Sequence, residues 1–278
     1  ALLEAIDSVA LDAQTQLSYQ LMHKQLNEIL EDARWRLYNY PVNQMFGVHS
    51  QVPALLINQH KIDSVDDAKA YIARLNAVPT LFSQLQQQLQ QRADAGIIAP
   101  KFVFPHVISA SENVIKGAPF EPGEAGTLLA DFSDKVAKLD LSDNSKKLLI
   151  DEAKVALLSS VKPAYTSLIT YLKTLEQQAG SVDGVWRLKD GAAFYNDALK
   201  STTTTNLTAA EIHQIGLDEV ARISKAMDKI LKANGYSEGS VGDRMAALNE
   251  EPRFLYEDSD AGRAQLLADL NGYIKEMD

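Results

Sequence analysis

The sequence predicts an all-α protein, an irregular array of about ten helices with at most a short hairpin near residues 183–189. Three observations lead there. Glycine and proline are few, 14 and 9 in 278 residues, so the chain is rarely punctuated. Runs of β-branched residues are scarce. Apolar residues recur at spacings of three and four almost throughout, the period of a helix with one buried face.

Residues 1–10 carry a short helical pattern. From Gln14 to Leu37, Leu17, Leu21, Ile29, Ala33 and Leu37 fall close to one stripe, which is expected to pack in the core. Pro41 ends that helix. Tyr40 to Ile62 reads as a loop, with Gly47, Pro53, His49 and His60. The two histidines are too far apart for a compact zinc pair, so surface or capping roles are expected. Ser64 opens the next helix as N-cap, with Asp67 reaching back. Ile72, Leu75, Val78, Phe82, Leu85 and Leu89 are its buried face. Pro79 lacks the N–H that a helix interior needs, so a kink or break is expected there. The glutamines of the stretch Ser83 to Arg92 are a solvated face, and Gly96 closes the helix.

Pro100 starts a pattern through Val103, Val107, Ala110 and Val114; Pro105 leaves a strand start as the alternative, and His106 is read as packed or exposed. Gly117 to Gly126 is turn-rich and a possible sub-boundary. Thr127–Leu139 and Asp143–Ala179 are helical, with Ser142 as N-cap and Pro163 dividing the second. The acids Asp151 and Glu152 are adjacent, so they point about 100° apart and make no natural acid–base pair. Val185–Leu188 is the one stretch expected to be extended. Gly191 to Lys200 is a short helix. The threonines of Ser201 to Asn206 lose rotamer freedom in a helix and read as a linker. Thr208 and Glu211 form a capping box for a helix reaching Lys232 or Ala233. Ile212, Gly216, Val220, Ile223, Met227 and Ile230 are its packing stripe, and Asn234-Gly235 stops it. A short helix near Asp243–Leu248, a turn at Glu251-Pro252 and a last helix over Asp260–Lys275 complete the chain.

Composition excludes several functions. The net charge is −10 and the longest basic run is Lys146-Lys147, which argues against nucleic acid as a partner. No apolar run is long enough to span a bilayer, so no transmembrane segment is expected. The absence of cysteine removes disulfides, thiolate metal sites and thiol nucleophiles, and fits either periplasm or cytoplasm. The opening residues lack a basic start and an apolar segment, so the chain is expected to begin after a removed segment. Its last residues keep an amphipathic pattern with no stop signal, and the natural polypeptide is expected to continue.

No HExxH, phosphate loop, dinucleotide fingerprint or G-x-S-x-G elbow is present. The chemistry-bearing residues that remain lie around Tyr195, Thr205 and His213. A tyrosine can donate to a developing oxyanion and a histidine can shuttle a proton. Against this, Tyr195 can be a core aromatic and His213 an ordinary residue of an early helical turn.

The wording G-x-x-x-Y-x-x-x-L from Gly191 to Leu199, the threonines Thr202 to Thr205, and L-T-x-x-E-I-H-x-I-G-L-x-E-V-x-R-I from Leu207 to Ile223 resemble the bacterial DUF885 family. Phe46–Leu56, Tyr71–Leu85, Ala95–Phe104 and Val161–Leu172 are similar to that family's N-terminal half, in the same order. Members are similar to helical zinc metallopeptidases whose H-E-x-x-P-G-H-H signature lies well downstream of these motifs. The resemblance implies the N-terminal half of a longer zinc-dependent hydrolase, forming one wall of a substrate cleft. Zinc is then expected in the C-terminal half, and no metal ligand or catalytic group in this chain, which is expected to be inactive alone. Tyr195 and His213 are the candidate substrate contacts. The implied partners are the C-terminal half and a peptide substrate, and the implied location is the periplasm or cell envelope. The alternative is a non-catalytic helical binding or scaffold module, with the chain as one helical domain.

Overall fold

The computed structural model describes residues 2–277, and among them the protein is all-helical, without a strand. The helices are α1 (Ala13–Asp32), α2 (Val48–Asn58), α3 (Val65–Asp94), α4 (Val103–Val114), α5 (Thr127–Ala137), α6 (Asp143–Ala156), α7 (Lys162–Gln178), α8 (Gly191–Thr203), α9 (Ala209–Ala233), α10 (Val241–Asn249) and α11 (Asp260–Met277). A π turn over Leu157–Val161 joins α6 to α7, so those two form one continuous rod. The chain divides into two compact units, Ala1–Ser201 and Thr202–Asp278. The turn-rich loop at residues 117–126 lies inside the first.

The first unit is organised around α3. Ser64 caps it, its hydroxyl oxygen accepting from the Asp67 N–H at 3.2 Å, while Asp67 accepts from the Asp63 N–H. Tyr71, Leu75, Val78, Phe82, Leu85 and Leu89 are buried along one stripe. They meet α7, where Tyr165, Leu168 and Leu172 are fully enclosed, and α5, where Phe132 and Val136 are. The rings of Phe82 and Tyr165 stand edge to face at 4.7 Å, and those of Tyr71 and Phe132 tilt together at 5.0 Å. Burying side chains of this size contributes about 1.5–3 kcal/mol each. That gain explains why α3 runs unbroken through Pro79, correcting the expected break. One missing backbone hydrogen bond is offset by a long packed face on both sides of it.

Several other expectations change. The segment read as a loop contains α2, with Pro53 inside it. Its histidines are buried rather than on the surface; His106 is exposed. Pro105 sits in the first turn of α4, where its N–H would have no helical partner, so α4 is a helix and not a strand. The break foreseen at Pro163 is the π turn just before it. Val185–Arg187 is a 3-10 turn, not an extended arm, with the Leu188 N–H closing on the Val185 carbonyl at 3.0 Å. Residues 3–5 and 8–10 are separate 3-10 turns.

The α1 stripe is the largest correction. No residue of α1 is buried; Leu17, Leu21 and Ile29 are 50%, 59% and 57% exposed. Helical period identifies an apolar face but not what covers it.

In the second unit, the Thr208 hydroxyl accepts from the Glu211 N–H at 3.3 Å and Glu211 accepts from the Thr208 N–H at 2.8 Å. Helix α9 ends where Gly235 adopts φ 89°, a left-handed turn that glycine takes without steric cost. There the Tyr236 N–H reaches the Leu231 carbonyl at 2.9 Å. Arg244 of α10 is buried and ties the unit's turns together, donating to Asp228 at 2.6 Å and to the Tyr236 carbonyl at 3.0 Å. Among the unit's described residues, only Leu231, Arg244 and Gly262 are buried. The α9 stripe expected to pack is therefore open, with Val220 at 64% and Ile230 at 62% exposure.

Candidate functional site

Tyr195 belongs to the first unit and His213 to the second. Tyr195 sits one turn into α8. That helix starts at Gly191 because its backbone is pressed onto the preceding 3-10 turn: a Cβ there would lie 2.0 Å from the Val185 carbonyl oxygen. Tyr195 is about half exposed, and its phenol has no hydrogen-bond partner among the described residues. His213 is exposed on α9, one turn beyond the capping box. Helix α8 continues into the threonine run as far as Thr203, further than the β-branched residues led one to expect. Only at Thr204, φ 54°, does the backbone turn away.

The residues beside Tyr195 form a cluster that sequence reasoning missed. Phe194 packs on Trp35 and Tyr38, with ring centroids 5.5 and 5.1 Å away. Asp197, one turn on, accepts from the Trp35 indole N–H at 2.6 Å and pairs with Arg34, whose guanidinium lies over the Trp35 ring. The Tyr38 hydroxyl donates to Asp190 at 3.3 Å. Partial burial, then the Asp190 charge, raises the Tyr38 phenol above its usual range, so it remains a donor. The Asp197 carboxylate is committed to two donors and acts as a clamp between the end of α1 and α8. Phe194 and Asp197 share one face of α8, which was readable; their partners, 162 residues upstream for Trp35, were not.

A second polar network lies beneath α2. The Arg74 guanidinium, which only donates, points at His60 Nδ1, so Nδ1 accepts and Nε2 donates to the Asp67 carbonyl at 3.0 Å. Tyr71 donates to Asp131 at 3.2 Å, and its phenol is raised by burial first and by the Asp131 charge second. Lys135 donates to Asp131 at 2.9 Å and to the Leu56 and Ile57 carbonyls at 2.8 Å, capping the end of α2. Each group here is used in holding the fold. His49 differs: it is buried, its Nδ1 has no partner among the described residues, and burial lowers its imidazole to about 4, so it is neutral at pH 7.

Among the described residues no group of three or more His, Asp or Glu is placed to hold a metal ion. The first unit encloses a cavity of about 20 Å³ against Tyr40, Arg92, Ile98 and Phe104, the volume of roughly one water molecule. Arg92 is fully engaged there, donating to the Asn39, Gln88 and Arg36 carbonyls. An open hollow in the second unit, lined by Tyr236, Glu238, Asp243 and Arg244, has its one buried cation already paired with Asp228. Among the described residues no helix is long and apolar enough to cross a membrane.

These features define an all-helical protein in which the polar groups of the Asp197, Asp131 and Arg244 networks are bound within the fold. The chain belongs to the family described as bacterial proteins of unknown function, DUF885, whose model matches residues 1–278. It is also similar to a solved structure described as "the putative lipoprotein from Colwellia psychrerythraea", at 38% identity and a TM-score of 0.76. That match covers 86% of this chain and 40% of the other, so the chain spans well under half of that relative's length. No curated protein matches.

Proposed function

We propose that this chain is the N-terminal helical part of a longer zinc-dependent peptidase-like or hydrolase-like protein, in which it forms one wall of a substrate cleft. The observation that carries this reading is the likeness to a chain of which it covers only 40%. Membership of DUF885 and the motif order from Phe46 to Ile223 support it. Zinc does not fit the donors described here, since no suitable trio of side chains converges. Metal ligands and the general base are assigned to the remaining polypeptide. This chain contributes surface and substrate contacts, for which Tyr195 and His213 are proposed. The relative's description as a lipoprotein supports a location in the cell envelope.

The test is made on the full-length protein. The reading requires an HExxH-type motif beyond Asp278, bound zinc, and peptide or ester hydrolysis abolished by a chelator. Tyr195→Phe or His213→Ala should raise KM with kcat retained. A native reading frame without such a motif, or a zinc-free protein, would refute the proposal.

A further inference from the structure

The second unit carries two long helices, the amphipathic α9 and the apolar-striped α11, whose exposed apolar residues have nothing to pack on within that unit. On α9, Ile212, Val220, Ile223, Met227 and Ile230 fall within a quarter-turn of each other around the axis. Val220, Ile223 and Ile230 are 64%, 45% and 62% exposed. The charged residues Asp218, Arg222, Lys225, Lys229 and Lys232 lie on the opposite side of the helix. On α11, Leu266, Leu267, Leu270, Tyr273 and Ile274 repeat at i, i+1, i+4, i+7 and i+8, and all are exposed.

Isolated exposed apolar residues are ordinary; two aligned stripes in one unit are not. Among its described residues the unit buries a single apolar side chain, Leu231. That is far too little to offset the conformational entropy of ordering three helices. What holds α9 and α11 helical must therefore come from outside the unit. The stripe residues of both helices are apolar and uncharged, aliphatic apart from Tyr273, the surface an apolar helix stripe covers rather than one that binds a soluble ion or sugar.

We infer that the apolar faces of α9 and α11 are the docking surface for helices of the same polypeptide beyond Asp278. This rests on the proposed longer protein. The size of the relative favours this occupant over a second copy or a lipid surface, since the larger part of that chain has no counterpart here.

The test uses the full-length protein, and the absence of cysteine in this chain makes single thiols informative against the parent protein. Val220→Cys and Leu270→Cys should react with a maleimide about a hundredfold more slowly than Lys225→Cys on the charged face, and equally fast in urea. Val220→p-benzoylphenylalanine should photo-cross-link to residues past Asp278. Cross-links to residues 2–201, to a second copy or to vesicle lipid would overturn the inference, as would thiols on the two faces reacting at equal rates. If the larger probe prevents folding, the thiol rates alone decide. None of these readouts depends on zinc or hydrolysis. Protected stripes in a zinc-free protein would sink the peptidase reading alone. Open stripes in an active zinc enzyme would sink the docking surface alone.

Discussion

The Tyr165 hydroxyl donates to the His49 backbone carbonyl over 2.6 Å, deep in the first unit. Four residues after His49 stands Pro53, whose missing N–H is the one that would reach this carbonyl in an α-helix. A phenol from α7 therefore takes the place of a backbone donor in α2. Burial also raises the Tyr165 phenol, keeping its proton available for the bond.

Removing that hydroxyl leaves a buried carbonyl without its donor. Tyr165→Phe should destabilise the protein by about 1–3 kcal/mol, measured by urea denaturation. Pro53→Ala restores a helical N–H, so Tyr165→Phe should cost less in that background. A double-mutant cycle showing independent effects would contradict this pairing.

His49 makes stability pH-dependent in a definite direction. Its folded-state imidazole is lowered to about 4, whereas the unfolded chain takes up the proton near the ordinary value of 6.5. The unfolded state thus binds more protons between those limits, and stability falls as pH drops from about 6.5 to 4. The full shift corresponds to roughly 3 kcal/mol at most. Comparing urea midpoints of the protein and of His49→Gln across this range isolates the contribution; parallel curves would exclude His49 as its source.

Gly191 is required by space. A methyl group there would meet the Val185 carbonyl oxygen at 2.0 Å, and that atom is backbone and cannot rotate aside. Gly191→Ala should cost about 1–3 kcal/mol and loosen the start of α8. Faster proteolysis between Val185 and Phe194 is the expected sign. Gly272→Ala, with open space at its Cβ and an interior position in α11 on the side away from the apolar stripe, should instead be neutral or stabilising.

Asp197 and Tyr195 are neighbours with opposite expectations. Asp197→Ala cuts the bonds to Trp35 and Arg34, so it should lower stability by about 1–2 kcal/mol and shift the tryptophan fluorescence. Tyr195→Phe removes an exposed hydroxyl with no described partner and should change stability by less than about 0.5 kcal/mol. A large loss of stability in Tyr195→Phe would make it structural and remove it as a substrate contact.

The sequence by itself determined most of the helices and their ends, α2 excepted. Helical period marked the faces of α3 and α9; Ser64 and Thr208 marked starts, and Gly96 and Gly235 marked stops. These are signals within one turn of chain, where backbone sterics and capping hydrogen bonds operate. Its errors came where distant contacts override local preference. Pro79 fails to break α3 because a packed face holds both halves, and Pro53 sits inside α2 because Tyr165 serves the carbonyl it leaves open. The Asp197 clamp needs Trp35, which no local spacing could place. Tertiary structure also decided which apolar faces are buried: the stripe of α3 is covered and those of α1 and α9 are not, although all read alike in sequence. The reason is physical. Amphipathicity is a property of one helix, whereas burial is a property of two surfaces, and the second surface is not encoded in the first.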